Sequence, residues 1–263
     1  MKIADVDKSM DKHKDSEFMH TNLEKLDKIL DGGFLKKELV ILGAGTGIGK
    51  SYVAGHILWQ IAQQGFSTAY YSLEISNAMV YSRLLAPYVD VSPTKLLYGL
   101  IDKETQEKKT KARAKLLAHS EFIDLYDDIY DLDTMIKVSK EKKHEFIIID
   151  FLQNVMHKSN DEYTRLSEVS YALQRFAKEN DSCVLALSQL SNQAIRNKKA
   201  GLLEYKGSGS IATVADVGLF LERGELQDQE NYNNIRLKMA KNRRGTSGHE
   251  IAMTFIHPSG KIL

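Results

Sequence analysis

At 263 residues, with a net charge of +1, 43% hydrophobic and 27% charged residues, the chain has the balance of an ordinary water-soluble globular protein. That charge excludes a protein coated in basic surface, so any nucleic-acid contact must be local, in loops or a channel. The single cysteine, Cys183, lies in an apolar run and excludes a disulfide framework or a Cys-based zinc site.

The length suits one large α/β domain. Residues 1–20 are Lys/Asp-rich with little apolar periodicity and read as a tail or linker helix, leaving 21–263 as the domain. The N-terminus lacks an apolar signal core and no apolar stretch approaches spanning length, so a cytoplasmic setting without membrane contact is expected.

The apolar run Leu39-Val40-Ile41-Leu42 reads as a strand that opens into Ala44-Gly45-Thr46-Gly47-Ile48-Gly49-Lys50-Ser51 and then a helix to about Gln64. That order suits a nucleoside triphosphate. Amides freed by the glycines, from Gly45 through Gly49, converge on phosphates, and the helix N-terminus adds partial positive charge. Lys50 can reach the β- and γ-phosphates, and the Ser51 hydroxyl can ligate Mg²⁺. The strict P-loop pattern wants Gly at position 44, where Ala stands.

A second strand, 67–73, ends at Glu74, and Ser76 or Asn77 can cap the helix that follows. The Lys/Glu-dense stretch from Lys103 to Lys115 reads as a solvated helix face before it reads as a nucleic-acid patch. A short strand near 122–126 and a helix from about 132 to 143 come next. Phe146–Asp150 is a continuous apolar strand closed by an acid, the pattern of a parallel strand buried on both faces. The helix from 162 to 178 carries Leu166, Val169, Leu173 and Phe176 on one stripe. Strand 184–187 ends in Ser188-Gln189.

The polar stretch from Ser191 to Ser210, about twenty residues, exceeds ordinary connections and points to a functional loop. Further strands are expected at 217–221, 235–240 and 251–256. Alternating strands and helices predict a mainly parallel sheet with helices on both faces.

Asp150 fits the acid that holds the Mg²⁺ shell, because strand C-termini line the ligand crevice in open α/β sheets. Glu74 would face the same crevice, where a carboxylate can orient and deprotonate the attacking water. Gln189 ends a third strand and can sense the γ-phosphate. Each residue alone is what closes any buried strand, but three beside one P-loop form a site.

Several runs, in order and with similar spacing across about residues 20–263, resemble the DnaB-type replicative helicases. They are Tyr71-Ser72-Leu73-Glu74-Ile75-Ser76 with Arg83, Ile149-Asp150-Phe151-Leu152-Gln153, and Ala186-Leu187-Ser188-Gln189-Leu190-Ser191. Gly207-Ser208-Gly209-Ser210-Ile211 and Ala240-Lys241-Asn242-Arg243-Arg244-Gly245-Thr246 continue the series. The segment from Thr21 to Gly33 looks like the entry to RecA-like ATPase domains, and Ala44 is usual in that family.

The resemblance implies a RecA-like P-loop NTPase with a C-terminal antiparallel extension. It also implies a hexameric homo-oligomer that hydrolyses ATP at subunit interfaces and pulls single-stranded DNA through its centre during replication. By the same resemblance Lys50 and Ser51 bind phosphates and Mg²⁺, Glu74 is the catalytic base, and Arg83 supports the phosphate site. Asp150 is the Walker B acid and Gln189 the γ-phosphate sensor. Lys241 and Arg243 match a basic pair that reaches the neighbouring subunit's γ-phosphate. Lys206, Gly207, Ser208 and Gly209 stand where the family contacts the DNA backbone, with Lys for the usual Arg and Gly for the usual acid. The family's N-terminal domain, which helps assemble the ring and bind primase, is expected to be missing. A primase or helicase loader is the implied further partner. A RecA-like repair or recombination ATPase, and a nucleotide-gated scaffold, are the competing expectations.

Overall fold

All six residues of β1 (Leu39–Ala44) are buried, because parallel strands cover both of its edges and helices cover both of its faces. The structure, a computed structural model, describes Ile3 and residues 18–190, 209–224 and 232–263. Beside β1 lie β5 (Cys183–Gln189) and β6 (Val217–Arg223). Outward from β5 come β4 (Phe146–Asp150), β2 (Thr68–Ser72) and β3 (Ile123–Tyr126), all parallel. On the other side β7 (Tyr232–Asn242), β8 (Glu250–Ile256) and β9 (Lys261–Ile262) turn antiparallel. The described sheet thus runs β3-β2-β4-β5-β1-β6-β7-β8-β9, a parallel body with an antiparallel extension.

Alternation along the strands divides the core. Val40 and Leu42 face one layer, with Val53, Ile57 and Ile61 of α2 (Lys50–Gln63) and Leu84 and Leu85 of α3 (Asn77–Val89); α1 (Glu24–Ile29) adds Leu26 to that layer. Leu39 and Ile41 face the other, with Met135 of α6 (Leu132–Lys142) and the expected stripe of α7 (Glu162–Glu179). Leu166, Val169, Leu173 and Phe176 are all buried there.

Helix starts follow the chemistry of the chain. Ser76 caps α3 through Met79 N–H, and Asp131 and Asp161 cap α6 and α7 through the amides of Thr134 and Thr164. Of the charged helix α5 (Lys103–Leu117), Ala112 and Leu116 are buried and the rest faces outward, as its composition implies. Among the described elements, α4 (Pro93–Leu97), α8 (Gly209–Val214) and the two-residue β9 carried no periodic signal. The first had a local one, Ser92 as cap with Pro93 at the first helical position. Residues 191–208, most of the polar stretch, lie outside the described residues.

The segment before β1 is held by Arg244, which donates to the carbonyls of Leu30 and Gly33 at 2.8 Å each and pairs with Glu38 at 2.8 Å. Burial raises the Glu38 pKa, and Arg244 opposes that rise. Met19 is buried and pairs with Phe34, and that pairing brings the chain against Gly33. Gly33 has a φ of +120°, and a Cβ there would run into the Met19 carbonyl. Gly33→Ala is expected to cost about 1–3 kcal/mol of stability, read as a lower midpoint in thermal or denaturant unfolding.

Candidate nucleotide site

Four strand ends meet at one edge of the sheet. In register, Ala44 of β1 lies beside Gln189 of β5, and Ser72 of β2 lies beside Asp150 of β4. Glu74 follows two residues after β2. Because all four strands are parallel, these residues share an edge, and a crevice of about 320 Å³ opens there. Thr46, Gly47, Ile48, Gly49, Lys50, Ser51, Glu74, Arg83, Asp150 and Gln189 all line it. The crevice therefore gathers nearly every residue proposed to bind the nucleotide or Mg²⁺; Gly45 is buried just behind the loop.

Gly47 and Gly49 have φ values of +74° and +112°, a region that L side chains rarely adopt, which is why glycines stand there. Gly49 is the N-cap residue of α2 and brings no side-chain cap, and the first turn of that helix carries no acid. The helix-terminal amides and their field thus remain available to an anion. Lys50 Nζ reaches back across the loop to the Ala44 carbonyl at 3.2 Å. Burial lowers the Lys50 pKa, while Asp150 and Glu74 pull it back up. An anion seated in the loop would strengthen the charged form further.

Asp150 is 2% exposed, and its Oδ2 accepts a 2.6 Å hydrogen bond from the Tyr70 hydroxyl. The Ser51 side chain lies beside the same phenol. Burial, and then Asp150, push the Tyr70 pKa well above its usual value, so the phenol stays protonated and donates. The oxygen donors Ser51 and Asp150 suit a hard divalent cation that keeps most of its own waters and is shared with phosphates. Among the described residues no cluster of three or more His, Cys, Asp or Glu forms a self-sufficient metal cage.

Gln189 Nε2 donates to Thr46 Oγ1 at 2.6 Å, so the proposed sensor already touches the loop. Its backbone is fixed by Gln153: Gln189 N–H donates to Gln153 Oε1 at 3.3 Å, and Gln153 Nε2 donates to the Ser188 hydroxyl at 3.1 Å. Asn154 next to it donates to the Leu73 carbonyl at 3.1 Å, steadying the approach to Glu74. The Arg83 guanidinium lies 4.9 Å from the centre of the Tyr52 ring, at the crevice wall.

Lys241 and Arg243 are not in this crevice. Lys241 donates to the Thr213 carbonyl, and Arg243 pairs with Asp216 at 2.7 Å. Asp216 in turn accepts from the amide of Leu39, the first residue of β1. Six residues at about 3.3 Å each put Arg243 roughly 20 Å from its own loop. Of the residues proposed for DNA, Gly209 opens α8, while Lys206, Gly207 and Ser208 lie outside the described residues. Tyr70, Tyr52, Gln153, Phe255 and His257 were not anticipated as site residues. The signal for Tyr70 was a hydroxyl inside a buried strand, which demands a partner. Phe255 and His257 reach the crevice from the antiparallel extension.

A family model described as the DnaB-like helicase C terminal domain matches residues 19–262. The chain belongs to that family. It is 30% identical to the replicative DNA helicase DnaB of Geobacillus stearothermophilus over 92% of this chain and 56% of the relative. It therefore spans about half the length of the curated relatives it matches. Among solved structures, an isolated ATPase domain superposes with a TM-score of 0.84 at 21% identity, covering 99% of this chain and 96% of that one. A DnaB-like replicative helicase studied with primase superposes with a TM-score of 0.84 at 22% identity, over 99% of this chain and 65% of that one. Both likenesses establish the RecA-like fold.

Within this DnaB-like domain Gln153 clamps the end of β5. Gln153→Ala should cost about 1–3 kcal/mol in denaturant unfolding, because it strips partners from the end of β5, and should speed amide exchange at Gln189.

Proposed function

We propose that this domain is the ATP-hydrolysing motor of a replicative DNA helicase, acting on Mg²⁺–ATP. The observation that supports it most is the meeting of Lys50, Ser51, Glu74, Asp150 and Gln189 on one crevice at the C-terminal edge of the parallel strands. Lys50 and the loop amides bind the phosphates. Ser51 and Asp150 would hold Mg²⁺, which when bound neutralises phosphate charge. Glu74, exposed at the rim, orients the attacking water and accepts its proton. Gln189 reports the γ-phosphate to β5 and to the polar stretch behind it. The replicative-helicase names of the curated relatives favour this reading over repair or recombination.

Arg243 is proposed to act on a neighbour. It is too far from its own loop to serve in cis, and an arginine supplied in trans makes hydrolysis conditional on assembly, in a hexameric ring. Such fingers contribute about 10³–10⁵ in rate in comparable NTPases. Single-stranded DNA would run along the Lys206–Gly209 element, held by backbone phosphates in a sequence-tolerant way. A primase or loader contact and a cytoplasmic setting belong to the same proposal. Among the described residues no helix is long and apolar enough to cross a membrane.

Lys50→Ala should abolish ATP hydrolysis, and Glu74→Gln should bind ATP but not turn it over, as for a group that acts in the transition state. Near-normal turnover of Glu74→Gln would remove that residue from its role. Arg243→Ala should bind nucleotide and hydrolyse it slowly. Mixed with Lys50→Ala protein, it should regain activity at interfaces that pair an intact loop with an intact Arg243. Co-assembled mixtures with no recovery at any ratio would refute the shared site.

A further inference from the structure

Tyr70 is 1% exposed, in the middle of β2, in a sheet where a phenylalanine would fill the same space. A buried hydroxyl costs stability unless it is bonded, so its partners say what it is for. Its partner is an oxygen donor proposed for the cation. It donates to Asp150 Oδ2 at 2.6 Å, with the Ser51 side chain beside it. The sheet register makes this meeting unavoidable. Tyr70 pairs with Ile148 and Ser72 with Asp150, so Tyr70 and Asp150 point to the same face and sit diagonally across two adjacent strands. That face is the one packed by α2, whose first turn carries Ser51.

Resting on the nucleotide-site reading above, we propose that Tyr70 is a positioning residue for the divalent cation, orienting the Asp150 carboxylate through its phenol. Donation to Oδ2 leaves Oδ1 of Asp150 as the oxygen free to meet the cation or its waters. The phenol thereby fixes the carboxylate before nucleotide arrives. Partners of this kind behind a metal's ligands typically account for about 10- to 100-fold in metal affinity.

The variant is Tyr70→Phe, which keeps the ring and its packing and removes one oxygen. Binding of a fluorescent ATP analogue is measured in EDTA and across a Mg²⁺ titration, normalised to folded sites. Wild-type protein should gain affinity as Mg²⁺ is added. The variant should match wild type within about twofold in EDTA but need about 10-fold more Mg²⁺ to reach half of that gain. A Mg²⁺ dependence equal to wild type, or a loss equal with and without Mg²⁺, would reduce Tyr70 to a packing residue and overturn the proposal. A wild-type protein that binds the analogue without any response to Mg²⁺ would instead refute the Mg²⁺–ATP site itself, and the role of Tyr70 with it. Because the readout is a ratio of affinities on folded sites, a lower yield of folded variant does not imitate the expected result.

Discussion

Strand β1 cannot slip by one residue without breaking the crevice. Its register with β5 sets Ala44 beside Gln189, and its register with β6 sets Val40 beside Val217. A one-residue shift would turn Leu39 and Ile41 into the layer now filled by Val40 and Leu42, and both layers are already packed. The glycine-rich loop is therefore aimed by the hydrophobic core. The polar contacts at the edge, Gln189 to Thr46 and Tyr70 to Asp150, can form because the apolar pattern has already fixed which strand ends are neighbours.

The same logic explains why the site residues come from widely separated parts of the chain. A parallel sheet needs long crossovers, so adjacent strand ends are far apart in sequence: Tyr70 and Asp150 are 80 positions apart, and Thr46 and Gln189 are 143. Each of these residues reads locally as a polar residue closing or interrupting an apolar run. Only the strand order turns them into a set.

That contrast marks what the amino-acid sequence conveyed and what it withheld. The loop, Glu74, Asp150 and Gln189 were legible because each ends or closely follows a buried strand, a pattern short enough to see along the chain. The long helices were legible because their apolar stripes repeat with the helical period, as in Leu166, Val169, Leu173 and Phe176. Tyr70 was not, because an aromatic residue in a strand looks like core until its partner on another strand is known. Gln153 stood in a recognised motif, yet its bonds to Ser188 and Gln189 depend on a short helical turn after β4 that has no periodic pattern. Arg244, adjacent to Arg243 in a basic run, turned inward to bind Leu30, Gly33 and Glu38, and nothing in the run itself separates the two arginines.

The carboxylate of Asp216 holds Arg243 with one oxygen and the first amide of β1 with the other. It joins an outward-facing cation to the root of the strand that ends in the glycine-rich loop. The Thr213 carbonyl and, through Asp216, Leu39 would share a force that draws Arg243 outward, and the six buried residues of β1 run from there to Ala44. In the proposed ring, a neighbour that grips Arg243 would then load the root of this subunit's own loop strand. Each subunit would stand in the ring as a lever whose short arm is a guanidinium and whose long arm is a strand.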